Sequence, residues 1–254
     1  MSCSRWRRGL IDGITVDGET LLLHTGEGAE LNVRDGRLVR GRGYSSATIG
    51  VRRELSRLGA VLLLRERGRF HVHAAGAVAS DGRAWLLTGE SGSGKSTLTY
   101  ALARANWPVL GDDGVLIENT VSSVLARAWR EPLQVSIELS GEFPELRSYA
   151  TSVDWSDTRH RAPVAAPGGS ARVAPVGALA LVRRSSRDAL TPASPTEALA
   201  ALIRQSPTVL MDDAHAARQL AALTALVASV PVFHLEHTPR QLHLISRTLT
   251  ESVC

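Results

Sequence analysis

Hydrophobic and polar positions along the chain change their period several times, and each change predicts an element. The runs ITVDGETLLLHT and AELNVRDGRLVRG alternate like short strands, with Asp17-Gly18 and Asp35-Gly36 as tight turns, so residues 1–46 read as a small β-rich N-terminal unit. Residues 47–67 (ATIGVRRELSRLGAVLLLRER) switch to helical spacing and predict a connecting helix within a 47–69 linker segment. From residue 70 onward FHVHAAGAVA reads as one strand, SDGR as a turn and AWLLT as a second strand. A turn centred on Asp81-Gly82 makes antiparallel partners sum to about 163, which sets His73 opposite Glu90 and carries His71 beyond. Residues 95–106 predict a helix, and WPVLGDDGVLIEN reads as strand, turn, strand. LQVSIEL and GALALVRR are further strands, separated by a polar Pro/Gly-containing stretch at about 147–172 that is expected to be a mobile loop. Helices at about 197–205 and 213–228, a strand at 230–237 opened by Pro231, and a helix at 239–252 opened by Pro239 complete the pattern. This is an α/β chain with a mixed sheet, whose main domain is expected over residues 70–254.

Composition narrows the classes of function. At 254 residues, 44% hydrophobic and 21% charged, the chain has the make-up of a globular protein with one large domain or a main domain and an appendage. No stretch reaches the ~18–20 uninterrupted apolar residues of a spanning helix, and Asp12 and Asp17 interrupt the start, so neither membrane insertion nor a secretory leader is expected. Cys3 and Cys254 stand at opposite ends, which implies neither a disulfide framework nor a cysteine metal cluster, and a reducing cytoplasm is the expected setting. The net charge is +4, but arginines such as Arg7, Arg52, Arg104, Arg183 and Arg218 are scattered, with no aromatic-interleaved basic patch, so nucleic acid is not an expected partner. Of the 29 basic residues 28 are arginine and only Lys95 is lysine. In a chain this biased, a surviving lysine marks a place where a compact ammonium does what a planar guanidinium does not.

Lys95 falls inside Gly89-Glu90-Ser91-Gly92-Ser93-Gly94-Lys95-Ser96, a complete G-x-x-x-x-G-K-[ST] motif with an apolar strand before it and the helix STLTYALA after it. Consecutive backbone N–H groups of such a loop converge on phosphate oxygens, helped by the positive end of the following helix. Residues Gly89 to Thr97 are thus the expected ATP-binding loop; Lys95 adds a point charge at the terminal phosphates, and the Ser96 hydroxyl can ligate Mg²⁺.

Two further features flank the loop: His73 on the preceding strand, and Asp112-Asp113 at the end of the strand after the loop's helix, placed to bind Mg²⁺ or accept a proton from a hydroxyl. Together His73-Ala-Ala-Gly-Ala-Val, the loop Gly89–Thr97 and Gly111-Asp112-Asp113 resemble the catalytic domain of HPr kinase/phosphorylase and the wider group of related serine kinases, including those that modify ribosomal peptides such as lasso-peptide precursors. The resemblance covers about residues 70–118, and extends more weakly through Arg130-Glu131-Pro132-Leu133, GALALVRR and VPVFHLEH; the Leu-Glu-Ile-Arg-Gly motif of the bifunctional enzyme has no counterpart. It implies a P-loop kinase core of HPr kinase type with a mixed sheet and a preceding hairpin. It also implies ATP held by Gly89–Thr97, Mg²⁺ held by Ser96 and Asp113, Asp112 as the base, and His73 and Lys95 as catalytic residues near the phosphates.

The expected function is an ATP-dependent kinase acting on a hydroxyl, above all serine, of a peptide or protein. The alternatives are a kinase for a small metabolite and a nucleotide-binding switch that transfers nothing; self-association is open. Asp212-Asp213 and His215 open a predicted helix and read as a cap, and His234, His237 and His243 share no metal-ligand spacing and read as structural. Arg159, Arg161 and Arg172 are candidate clamps on a phosphate, with solvated surface positions as the commoner outcome.

Overall fold

The computed structural model describes residues 3–4, 13–17, 20–129, 132–153, 160–206, 213–238, 242 and 245–251. The chain divides into two compact units, Met1–Phe70 with Thr208–Gln219, and His71–Pro207 with Leu220–Cys254.

In the first unit, β1 (Cys3–Ser4), β2 (Gly13–Asp17), β3 (Thr20–His24), β4 (Glu30–Arg34) and β5 (Arg37–Arg40) form an antiparallel sheet in sequence order. Leu21, Leu23, Leu31 and Val33 point to one face, as strand alternation requires, and are buried there. They join Val51, Leu55, Leu58 and Leu62 of α1 (Ile49–Glu66) in one apolar cluster. Thr48 caps that helix, its Oγ1 accepting from Val51 N at 3.3 Å.

The second unit is built on β6 (Arg69–Val72), β7 (Ala75–Val78), β8 (Ala84–Thr88), α2 (Lys95–Arg104), β9 (Val109–Gly111), β10 (Val115–Asn119), β11 (Val124–Ala128), β12 (Leu133–Ser136) and β13 (Arg161–Val164). It continues with β14 (Val173–Arg184), β15 (Ala189–Pro192), α3 (Pro195–Arg204), α4 (Asp213–Ser229, of which the part from Leu220 on belongs to this unit), β16 (Val232–His237) and α5 (Ile245–Glu251). Nine of these strands make a curled mixed sheet in the order β6-β10-β11-β14-β8-β7-β9, with β16 beside β14 and β15 beside β16. β14 runs parallel to both β8 and β16, while β7 runs antiparallel to both β8 and β9. β8 is buried along its whole length because both faces of the sheet are covered. Trp85 and Leu87 pack with Leu98 and Leu102 of α2, whereas Ala84 and Leu86 pack with Leu202 of α3 and with Leu223 and Leu226 of α4.

Four expectations are corrected. FHVHAAGAVA is two strands, not one: Ala74 N turns back to Val72 O at 2.9 Å and His73 N donates to Gln205 O at 2.9 Å, so the ladder is broken at His73. The hairpin register is also one residue off, since Ala75 pairs with Leu87 and Gly76 with Leu86, a sum of 162. Ala79 N donates to Arg83 O at 2.9 Å, closing a three-residue loop in which Gly82 takes a left-handed φ of +80°, where a two-residue turn was expected. Continued outward, that register would set His73 opposite Gly89, but the pairing stops at Ala75. The 147–172 stretch is not simply a loop. It holds the end of a 3₁₀ helix (Pro144–Ser152) and the strand β13, which pairs with β12 and buries Ala162 and Val164 in the main core. Pro163 at an outward edge position hid that strand, whose two-residue alternation is too brief to read beside prolines. LQVSIEL likewise leaves the extended conformation after Ser136, whose hydroxyl accepts from Glu138 N at 3.3 Å and opens a 3₁₀ turn.

Candidate functional site

The glycine-rich loop joins the carboxyl end of β8 to α2. Helix α2 begins at Lys95 behind Gly94, which takes a left-handed φ of +101° and supplies no side-chain cap. The first helical N–H groups therefore keep their open ends toward the loop. A Cβ at Gly94 would strike the ring of His237, so both the torsion and the space demand glycine. Lys95 is only 6% exposed, and its Nζ donates to Gly89 O at 2.7 Å and Glu90 O at 3.0 Å, drawing the two ends of the loop together. Glu90, Ser91 and Gly92 form the exposed crest, while Ser96 is half-buried at the start of the helix.

β7 lies between β8 and β9, and its first residues, Ala75 and Gly76, stand beside Leu87 at the end of β8 and Gly111 at the end of β9. With neighbouring strands ~4.8 Å apart, the loop after β8 and Asp112-Asp113 after β9 rise from the same sheet edge roughly 10 Å apart. His73 precedes β7 at that edge. Its Nδ1 lies 3.0 Å from Asp113 O and 3.2 Å from Asp113 Oδ1, which ties the histidine to the acidic turn. The two carboxylates differ sharply. Asp112 is 3% exposed, and its Oδ2 accepts from Gln134 N at 2.9 Å, pinning the end of β9 to β12. The Asp113 side chain is 39% exposed and is the member of the pair open to a reacting group. His71 is elsewhere: it is buried on β6, edge-on to Trp129 with ring centroids 5.0 Å apart.

On the other side of the loop, the carboxyl ends of β14 and β16 run on past Thr88. Together with the loop and α3 they enclose a cavity of about 510 Å³, lined by Thr88 to Ser93, Val182 to Arg184, Ala201, Arg204, His234 and Glu236 among others. Glu236 is held by Arg183, by Arg187 at 3.2 Å and by Ser185 at 3.3 Å, and these guanidinium partners keep its carboxyl below the usual carboxylate range. His234 Nε2 stands 3.1 Å from Glu197 Oε2. His237 is buried, and its Nε2–H donates to Ser93 O at 2.8 Å. Burial pushes the pKa of the His237 imidazole down, which favours the neutral ring that holds the loop from behind.

The residues present fit a nucleoside triphosphate and its metal. The start of α2 behind Gly94 carries no side-chain cap, and the glycine-rich loop before it borders the cavity. Thr88 Oγ1 and Ser93 Oγ are buried beside it with no hydrogen-bond partner among the described residues. Among the described residues no group of three or more His, Cys, Asp or Glu gathers into a metal cage. Mg²⁺ needs none, because it is commonly held by one or two carboxylates, a hydroxyl and substrate phosphates.

No family model matches the chain, and no curated protein matches it. Among solved structures it is similar to the Hpr(Ser) kinase/phosphatase from Coxiella burnetii, at 12% identity over 72% of this chain and 94% of that chain, with a TM-score of 0.39. No described helix is long and apolar enough to cross a membrane.

Of the residues singled out by sequence, His73, Gly89 to Thr97, Asp112 and Asp113 share one edge of the sheet. Arg159, Asp212, His243 and the Arg130-Glu131 pair lie outside the described residues, as does the side chain of Asp213. Arg161 opens β13 and Arg172 accepts a backbone bond from Ala128 N; neither lines the cavity beside the loop. Sequence reasoning passed over Arg183, Arg184, Arg204 and Glu236, and set His237 aside as merely structural. The available signal was position: Arg184 and His237 close adjacent parallel strands at their carboxyl ends, where α/β sheets bind ligands.

Proposed function

We propose that this chain is an ATP-dependent kinase that transfers the γ-phosphoryl group to the hydroxyl of a serine in a peptide or protein, in a cytoplasmic setting. The observation that carries the reading is the shared sheet edge: a Gly89–Thr97 loop with a buried lysine on β8, and an exposed carboxylate held by a histidine two strands away. That spacing leaves room for a terminal phosphate and an attacking oxygen between them. In the reaction the serine oxygen bonds to the γ-phosphorus as the bond to the β-phosphate oxygen breaks, and the hydroxyl proton passes to a carboxylate. Asp113 is the exposed acceptor, oriented by His73, while buried Asp112 sets the turn that presents it. Ser96 and the same acidic turn would hold Mg²⁺, which supplies charge neutralisation along the phosphates. Lys95 would give up its bonds to Gly89 O and Glu90 O in favour of phosphate oxygens.

The test is incubation of the chain with γ-labelled ATP and a panel of serine-containing peptides, read by mass spectrometry. A peptide gaining one phosphoryl group on serine supports the reading. ATP hydrolysis with no acceptor modified across proteins, peptides and small hydroxylated metabolites would sink it in favour of a switch.

A further inference from the structure

The kinase reading leaves the larger part of the nucleotide unplaced, and the sheet order decides where it goes. Across the edge the elements run β9, β7, β8, β14, β16, with the loop above β8, the acidic turn two strands to one side and the cavity on the other. Phosphates held by the loop amides and reaching Asp113 at one end must extend toward β14 and β16 at the other. We infer that the cavity bounded by the loop, the ends of β14 and β16 and helix α3 receives the base and ribose of the nucleotide, gripped by Arg184 and Arg204. This inference rests on the proposed phosphate site.

The wall chemistry suits a flat, polar-edged heteroaromatic. Glu197, Ala201 and Arg204 follow each other at helical spacing, so they form one stripe of α3 facing the cavity. Ala201 in the middle leaves a shallow floor, continued by Leu181 and Val182 on β14. Of the three acids in the lining, Glu236 is paired with Arg183 and Arg187, Glu197 Oε2 stands 3.1 Å from His234 Nε2, and Glu90 belongs to the exposed crest of the loop. The guanidinium groups of Arg184 and Arg204 form no ion pair or hydrogen bond with a described residue, and both residues are exposed. Two guanidinium planes, one from a strand end and one from a helix end, can stack on a base and donate to ribose oxygens. No Phe, Tyr or Trp is among the described residues that line the cavity, and the His234 ring is engaged with Glu197, so arginine is the stacking group it offers. The volume of about 510 Å³ falls within the range of small-molecule pockets. An acceptor peptide is a poorer occupant, since its serine would have to reach the γ-phosphate from the side away from Asp113.

The experiment compares binding of ATP and of inorganic tripolyphosphate, each with Mg²⁺, by calorimetry on the full chain and on the Arg184→Ala/Arg204→Ala double variant. The parent should bind both, and the double variant should lose at least about tenfold in ATP affinity while tripolyphosphate stays within about twofold. Ala201→Trp, which fills the floor, should weaken ATP and spare tripolyphosphate in the same way. Unchanged ATP affinity in both variants overturns the inference. So does an equal loss for ATP and tripolyphosphate, because the arginines would then act on the phosphates. A parent that binds neither ligand refutes the phosphate site itself, an outcome distinct from either of these.

Discussion

Lys95→Arg is the most exacting change this chain offers, because 28 arginines elsewhere show that the positive charge alone is readily supplied by guanidinium. Lys95 Nζ makes two short bonds, to Gly89 O and Glu90 O, at a position only 6% exposed. Charge-assisted bonds contribute about 1.5–3 kcal/mol each, and an arginine that kept one and displaced the other would lose roughly that much. Forcing the larger head into the closed loop adds about 1–3 kcal/mol of crowding. The loop can relieve part of this by opening, so the net loss of stability is expected at about 1–3 kcal/mol, a fall in Tm on the order of 2–4 °C per kcal/mol. The fold should survive. ATP affinity should fall at least about tenfold, since a forked planar donor cannot sit as a point charge against the terminal phosphates. Differential scanning fluorimetry with and without ATP·Mg²⁺, followed by calorimetry, reads both numbers. ATP affinity within about twofold of the parent, only ~0.4 kcal/mol, would refute the reasoning and make the lone lysine an accident of codon usage.

The remaining predictions concern the acidic turn, the loop support and the core. Asp113→Asn should leave ATP binding nearly intact and reduce phosphotransfer by about 10²–10⁴-fold. Asp112→Asn should lower Tm through the Gln134 contact; a stable Asp112→Asn protein that alone loses phosphotransfer would return the base to Asp112. His237→Gln keeps a donor toward Ser93 O and should retain nucleotide affinity, whereas His237→Leu should lose it; equal behaviour of the two in calorimetry would remove the support role. Because burial lowers the pKa of His237 from its ordinary 6.5, the unfolded chain takes up the proton first as pH drops. Its share of stability is thus present above 6.5 and lost as pH falls from there through the folded-state value. A Tm-versus-pH profile on the acid side should flatten in the His237→Gln variant, and an unaltered slope would contradict this. Trp85→Ala, removing a ring 3% exposed that stacks on Phe233, should cost about 3–5 kcal/mol by denaturant unfolding; a loss below about 1 kcal/mol would mean that the site collapses around the gap.

What could be read from sequence was whatever is encoded locally. The strand, glycine-rich loop and helix of 84–104 are contiguous, so their order and periods predict both the elements and the lysine's place. The acidic turn after β9 was legible for the same reason. The register error arose because Ser-Asp-Gly can close a hairpin as a two- or a three-residue loop, and only the left-handed Gly82 distinguishes them. The break at His73 depends on a bond to Gln205, more than a hundred positions away, and nothing near His73 announces it. Arg184, Arg204 and His237 escaped for the same physical reason. Arg184 and His237 are placed by parallel pairing of β14 with β8 and β16, and Arg204 by α3 packed beside β14, and such long-range contacts leave no trace in local periodicity.

The separation between local and distant parts has a consequence during synthesis. β7, β8, α2 and β9 lie within residues 75–111, so the loop and acidic turn can form from contacts close in sequence. β14 ends at Arg184 and β16 at His237, and at about 5–20 residues per second the first of these leaves the ribosome roughly 4–15 s after β9. For those seconds Leu86 and Leu87 lack the parallel strand that covers one edge of β8, and Ser93 lacks the imidazole beneath it. A nascent chain paused before β14 should therefore expose an apolar strand edge and recruit holding chaperones, and release should coincide with emergence of residues 173–184. Ribosome-bound chains of stepped length, probed for chaperone crosslinks, would show that handover; crosslinking that persists unchanged past residue 184 would argue that another part of the chain is the exposed one.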